Sequence, residues 1–187
     1  MTSTKIALVL LLFVAAATMA AHAQTQVFVP GTASGCFGNG GVEACTPMVA
    51  GLTVNGPGTI TVAYVSGTVI WTLNGDPPAG PEGVTCDWCQ GGQPPLDEGH
   101  GIVHQKQTRL AALIGVFVPQ ARAAHKGFSA IDGTKAAVQV GIMPGWLFFI
   151  GQSKTFDVKE SGTLFLGVND YWVGDNSGGF NVEVTGP

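Results

Sequence analysis

The stretch Gly162–Val184 reads GTLFLGVNDYWVGDNSGGFNVEV. At its end Phe180, Val182 and Val184 alternate with Asn181 and Glu183. A period of two sets the apolar three on one face and the polar two on the other, the pattern of a half-buried strand. TLFLGV (Thr163–Val168) and, just upstream, FDVKE (Phe156–Glu160) carry the same strand signature. Between the strands, Asn169, Asp170, Asp175, Asn176 and Ser177 crowd around a glycine-rich turn. Two carboxylates and two amides this close make either a polar hairpin loop, whose Asx side chains cap their own backbone, or a cation site.

Upstream, β-branched residues dominate TITVAYV (Thr59–Val65) and GTVIWTL (Gly67–Leu73), which read as two more strands. AAVQVGIMPGWLFFIG (Ala136–Gly151) holds further strand material. Gly and Pro clusters at NGPG, NGDPPAGPEG, QGGQPP and DNSGG separate these runs. HGIVHQKQTRLAALIGVF (His100–Phe117) alone tempts a helix. Leu110, Leu113, Ile114 and Phe117 fit a helical stripe, yet ALIGVF fits a buried strand equally well, so at most a short helical turn is expected before a strand. Asp76–Gln105 has no periodicity and is long for a loop, a property often tied to function. Many short strands between turn signals predict an all-β sandwich or barrel.

The N-terminus predicts export. Lys5 precedes the apolar run Ile6–Ala21, which ends in Ala21-His22-Ala23. A basic start, a short apolar middle and an A-x-A exit mark a signal peptide over residues 1–23, with a single domain over 24–187 and a secreted or periplasmic location. No second apolar run is long enough to cross a bilayer, so no membrane partner is expected. Net charge is −4 with no basic tract, which argues against nucleic acid. Charged residues make up only 11% of the chain and glycines number 28, a composition that favours turns and close-packed strands over long helices.

Cys36, Cys45, Cys86 and Cys89 are expected to form disulfides in an exported chain. Three pairings exist. The local ones, Cys36–Cys45 and Cys86–Cys89, are favoured, although the short gap strains the second, which alternatively stays reduced. Cys86, Cys89, His100 and His104 also spell C-x₂-C-x₁₀-H-x₃-H, near a zinc-finger spacing. An exported chain and a gap holding Gly91-Gly92 and Pro94-Pro95, with no helix to present the histidines, count against zinc. An enzyme is not expected. No G-x-S-x-G elbow occurs, and Asp97-Glu98 beside His100 reads as a solvated loop.

The polar cluster suits calcium, which takes six to eight hard oxygens from carboxylates, amides and backbone carbonyls. Asp170 and Asp175 neutralise the ion and Asn176 adds a neutral oxygen, while carbonyls between Tyr171 and Gly174 can turn inward. The EF-hand spacing is absent. Tyr171 and Trp172 are large aromatics in a polar loop, an arrangement that favours a covered site over a bare turn.

Gly162–Val184 resembles the C-terminal signature of the PA-IL-like, calcium-dependent galactophilic lectins, bacterial β-sandwich proteins. That signature has the shape L-x-L-x-x-N-D, a short loop, then [DN]-N-S-G-x-F-x-V. TITVAYVSGTVIW, RLAALIGVF and GPEGVTCDWC are weaker echoes of the family's calcium-flanking strand, central strand and cysteine loop. The resemblance implies a jelly-roll-like, galactose-binding-domain-like β-sandwich. It implies side-chain calcium ligands at Asp170, Asp175 and Asn176, and carbonyl ligands from Trp172, Val173 and Trp71. It also implies a carbohydrate partner, of galactose type where the family's preference is kept, whose hydroxyls complete the calcium shell. Asp170, Asp175, Asn176, Glu82, Trp71 and Tyr171 would face that ligand, and assembly into a homo-oligomer stays open. The chain departs from the family in a shorter loop, in Ala79 where the family has a histidine, in Glu82 where it has a glutamine, and in a longer segment Ala121–Thr155. Trp88 and Trp146 are further aromatics that could line a pocket, though Trp146 in MPGWLFFIG reads better as core.

Overall fold

The computed structural model describes residues 23–33, 48–71, 75–84, 109–121, 147–170 and 173–187. Eight strands run through them: β1 (Ala23–Pro30), β2 (Val49–Val54), β3 (Gly58–Ile70), β4 (Leu113–Pro119), β5 (Leu147–Phe149), β6 (Ser153–Val158), β7 (Gly162–Val168) and β8 (Ser177–Gly186). β1 pairs with β8, β2 with β7, β3 with β6 and β4 with β5, all antiparallel. The chain is thus doubled back on itself as one long hairpin. Two further pairings, β3 with β8 and β4 with β7, roll it into sheets ordered β1-β8-β3-β6 and β2-β7-β4-β5. Two four-stranded antiparallel sheets in this order form an all-β jelly-roll sandwich.

The two sheets meet through their apolar faces. Ile60, Val62 and Val69 of β3 and Phe180, Val182 and Val184 of β8 pack with Leu164, Leu166 and Val168 of β7, Leu113 of β4 and Val54 of β2. The first sheet keeps one face in water, so β8 buries Phe180, Val182 and Val184 and exposes Asn181. The second sheet differs: all seven residues of β7 and the first four of β4 are buried.

Several sequence expectations change. Thr59–Val65 and Gly67–Leu73 are one strand, not two, and it ends at Ile70. The break expected between them is a β-bulge. The register against β8 shifts between Tyr64 and Ser66, leaving Val65 exposed. Gly67 sits at φ 102°, and a Cβ there would run into the Gly179 carbonyl, so the bend admits only glycine. The Tyr64 hydroxyl donates to the Gly67 carbonyl at 2.8 Å and fastens the bulge. Lys159 and Glu160 fall beyond β6, in a bend. The turn ahead of β4 is not helical: Ala112 N–H donates to Arg109 O at 3.3 Å and Ala111 adopts φ 58°. β1 and β2 carry no clear sequence signal. β1 is an edge strand, and β2 is interrupted by a register shift at Gly51.

The expectations for residues 1–22, the four cysteines, Trp88, Asp97, Glu98, His100, His104, Trp146, Tyr171 and Trp172 lie outside the described residues. Among the described residues no helix is long and apolar enough to cross a membrane.

Candidate metal centre

The polar cluster forms where β7 hands the chain across to β8 in the other sheet. Asp170 N–H donates back to Val168 O at 2.9 Å, a three-residue γ-turn centred on Asn169 that ends β7 sharply. Val173–Asp175 then winds one 3₁₀ turn, closed by Asn176 N–H on Val173 O at 3.1 Å. β8 starts at the next residue, and Gly178 takes φ 74° where a side chain would strike the Thr68 carbonyl. A γ-turn, a 3₁₀ turn and a glycine together fold the loop tightly enough to bury its polar groups. Asn169 is 1% exposed, Asp170 4% and Asn176 9%, while Asp175 is half-buried.

Two amides in this loop are clamped by their nitrogens. Asn176 Nδ2 donates to Gly31 O at 2.9 Å, and Asn169 Nδ2 donates to Arg109 O at 3.0 Å. Flipping either amide would set oxygen against a carbonyl oxygen, so the position of each Oδ1 is fixed. Both of those oxygens, and Asp175 Oδ1, are buried and accept no hydrogen bond. A buried acceptor left unmatched costs about 1–3 kcal/mol. The Asx-turn reading expects these oxygens to take backbone N–H groups of their own loop, and they do not. A cation, or the water and hydroxyl groups that accompany one, matches them. The donors are carboxylate and amide oxygens, the set that hard cations prefer over zinc. Among the described residues no three His, Cys, Asp or Glu side chains come together as a metal-binding group.

The other expected residues are placed as follows. The Trp71 ring belongs to the core, 7% exposed, with its indole N–H on Pro77 O at 3.1 Å; any part it takes in a site falls to its backbone. The Val173 side chain is fully buried, and its carbonyl keeps one lone pair after receiving the Asn176 N–H. Ala79 also faces the core and pairs through its backbone with Val69. Glu82 is exposed on the Gly80–Val84 loop, where Oε1 accepts Gln152 N–H at 2.7 Å and ties the loop to the β5–β6 turn. Glu82→Ala is therefore expected to lower stability by about 0.5–1.5 kcal/mol in urea titrations, and Glu82→Gln, which keeps the acceptor, to lower it less. The sequence places Asn169 in the polar cluster, beside Asp170 in the N-D pair, but assigns it no ligand role.

No protein-family model and no curated protein matches the chain. Among solved structures it is similar to a chain described as "EclA N-terminal domain; PllA-like lectin". The two share 17% sequence identity over 87% of this chain and 95% of that one, with a TM-score of 0.46. The jelly-roll assignment above stands on the strand pairing itself.

Proposed function

We propose that the chain is a calcium-dependent carbohydrate-binding protein of lectin type, working by binding and not by catalysis. The observation that carries this reading is that two of the expected ligands, Asp175 and Asn176, each hold a buried Oδ1 without a hydrogen bond. Asp170, Asp175 and Asn176 would hold the ion, the two carboxylates balancing its charge and Asn176 adding a neutral oxygen, with backbone carbonyls from Trp172, Val173 and Trp71 to supplement them. Bound there, calcium would supply a positive centre to which neighbouring sugar hydroxyls add their lone pairs. The protein's own contribution is a loop whose oxygens are pre-set by the amide clamps, so little ordering remains for the moment of binding. The signature Gly162–Val184 supports the same reading from the sequence side. Galactose type is its finer form. Against that form, Ala79 faces the core where the family's histidine would stand, so any preference must come from other residues. A secreted or periplasmic location suits a site of this kind, since extracellular calcium modules work with dissociation constants of about 10⁻⁴–10⁻³ M.

Thermal melts in calcium and in chelator, paired with a glycan array in both buffers, test this. Calcium at ~100-fold its dissociation constant is expected to contribute ~2.7 kcal/mol by mass action, and glycans are expected to be retained only in calcium. Melts that coincide in the two buffers would remove the cation site. A calcium-linked shift without glycan retention would leave a β-sandwich with a purely stabilising ion.

A further inference from the structure

Asn169 is the most deeply buried polar residue of the loop, and its bonds run away from the loop. Its N–H donates to Ala112 O at 2.8 Å, its carbonyl accepts Ala111 N–H at 2.9 Å, and its Nδ2 donates to Arg109 O at 3.0 Å. One residue thus holds the whole Arg109–Ala112 turn. That turn is itself pinned on its other side: Val84 N–H donates to Leu110 O, and Leu113 N–H donates to Pro81 O, each at 2.9 Å. Ala111 holds φ 58°, uncommon for a residue with a side chain, so the turn is kept in shape by these neighbours. Meanwhile Asn169 Oδ1 is left buried without a hydrogen bond. A residue needed only for packing would be apolar here and would leave no acceptor unmatched. The side chain is oriented by its clamp to Arg109 and not by the needs of its own oxygen.

We propose that Asn169 is a positioning residue of the metal centre, fixing the γ-turn that delivers Asp170 into the loop; this rests on the calcium reading given above. By anchoring the turn to Arg109–Ala112, Asn169 sets where the Asp170 carboxylate stands before any ion arrives. Calcium affinity then depends on a hydrogen bond directed away from the ion. Partners that orient metal ligands from behind typically change affinity by about 10–100-fold when removed.

The sign of one substitution separates this role from a direct one. Asn169→Asp keeps the shape and adds a negative charge. If the side chain served the ion directly, the extra carboxylate would tighten calcium, since charge count raises affinity in oxygen sites. If it serves as the clamp, oxygen replaces Nδ2 opposite the Arg109 carbonyl, attraction becomes repulsion, and calcium binds more weakly.

Calcium chloride is titrated calorimetrically into the chelator-stripped full chain, as wild type, Asn169→Asp and Asn169→Ala, with melts of each in chelator. The expected result is cooperative melting of both variants and a calcium dissociation constant raised about tenfold or more in each. Affinity unchanged or tightened in Asn169→Asp would overturn the positioning role. Loss of cooperative melting in both variants would also overturn it, making Asn169 a residue of the fold and not of the site. A wild type that binds no calcium would instead fell the calcium reading, and the positioning role with it, an outcome told apart by the wild-type titration alone.

Discussion

Asp170→Asn is expected to abolish the calcium-linked rise in melting temperature. The substitution keeps the volume and shape of a side chain that is 4% exposed, so the loop retains its packing. In the calcium reading it removes one of the two negative charges that would face a doubly charged ion. A unit charge pair 4 Å apart is worth ~4 kcal/mol at the effective dielectric of a protein surface. Even after the lower desolvation of an amide is set against this, calcium affinity should fall on the order of a hundredfold or more. In chelator this difference disappears, because no ion is bound for the substitution to weaken. Melts of both proteins in both buffers give four temperatures. The expected pattern is wild type far ahead in calcium and a gap that closes in chelator. A variant that loses stability equally in both buffers would assign Asp170 to a structural hydrogen bond instead.

The second large effect lies in the core. Phe180 is fully buried on β8, edge-on to Tyr64 with ring centroids 6.0 Å apart. Phe180→Ala removes a ring from between the sheets and leaves a cavity that the β3 and β7 side chains cannot fill without moving the strands that carry them. The expected loss is about 3–5 kcal/mol, a large part of the roughly 5–15 kcal/mol typical of a domain. Phe28, on the outer face of the edge strand β1, is 53% exposed and serves as the control. Phe28→Ala should change stability by only about 0.5 kcal/mol. Urea titrations of the two variants against wild type measure the contrast; comparable losses would mean that Phe180 is not the packing centre described.

What can be read in the sequence follows from which faces meet water. β8 announces itself as FNVEV because its sheet has one wet face, so inward and outward residues must differ. β7 and the first part of β4 are buried on both sides, which erases alternation; ALIGVF therefore reads as helix or strand with equal force. β3 reads as two strands because the bulge at Val65 interrupts its period, although its hydrogen bonding continues past the bulge. β1 and β2 lie at sheet edges, one with a bulge of its own, and local sequence alone does not reveal them. The candidate centre divides in the same way. Asp170, Asp175 and Asn176 carry their chemistry in their side chains, so spacing alone draws attention to them. The anchors that orient the loop, Gly31 O and Arg109 O, are backbone atoms with no sequence signature, which is why the place of Asn169 emerges only from the fold. Trp71 is the converse case. An indole suits a sugar platform or a core equally, and only the packing of the folded chain places it in the core.

The nested pairing of strands also dictates an order of events on the ribosome. Ala23 lies opposite Gly186, and among the described strands β1 pairs with β8 alone. While the polypeptide is being made, β1 must wait through nearly the whole intervening chain before that partner can hydrogen-bond to it. β3 finds β6 earlier, but its longer pairing with β8 waits as well. Contacts this distant in sequence carry a high loop-closure cost, so folding should be slow, in the millisecond-to-second range of β-rich domains, and should finish in a single late closure. The candidate metal-binding loop immediately precedes β8, so it is assembled in that same closing step. A nascent chain stopped anywhere between Asp175 and Ser177 would hold the Asp170 and Asp175 carboxylates and still lack β8, the strand that joins β1 to β3 and completes the candidate centre.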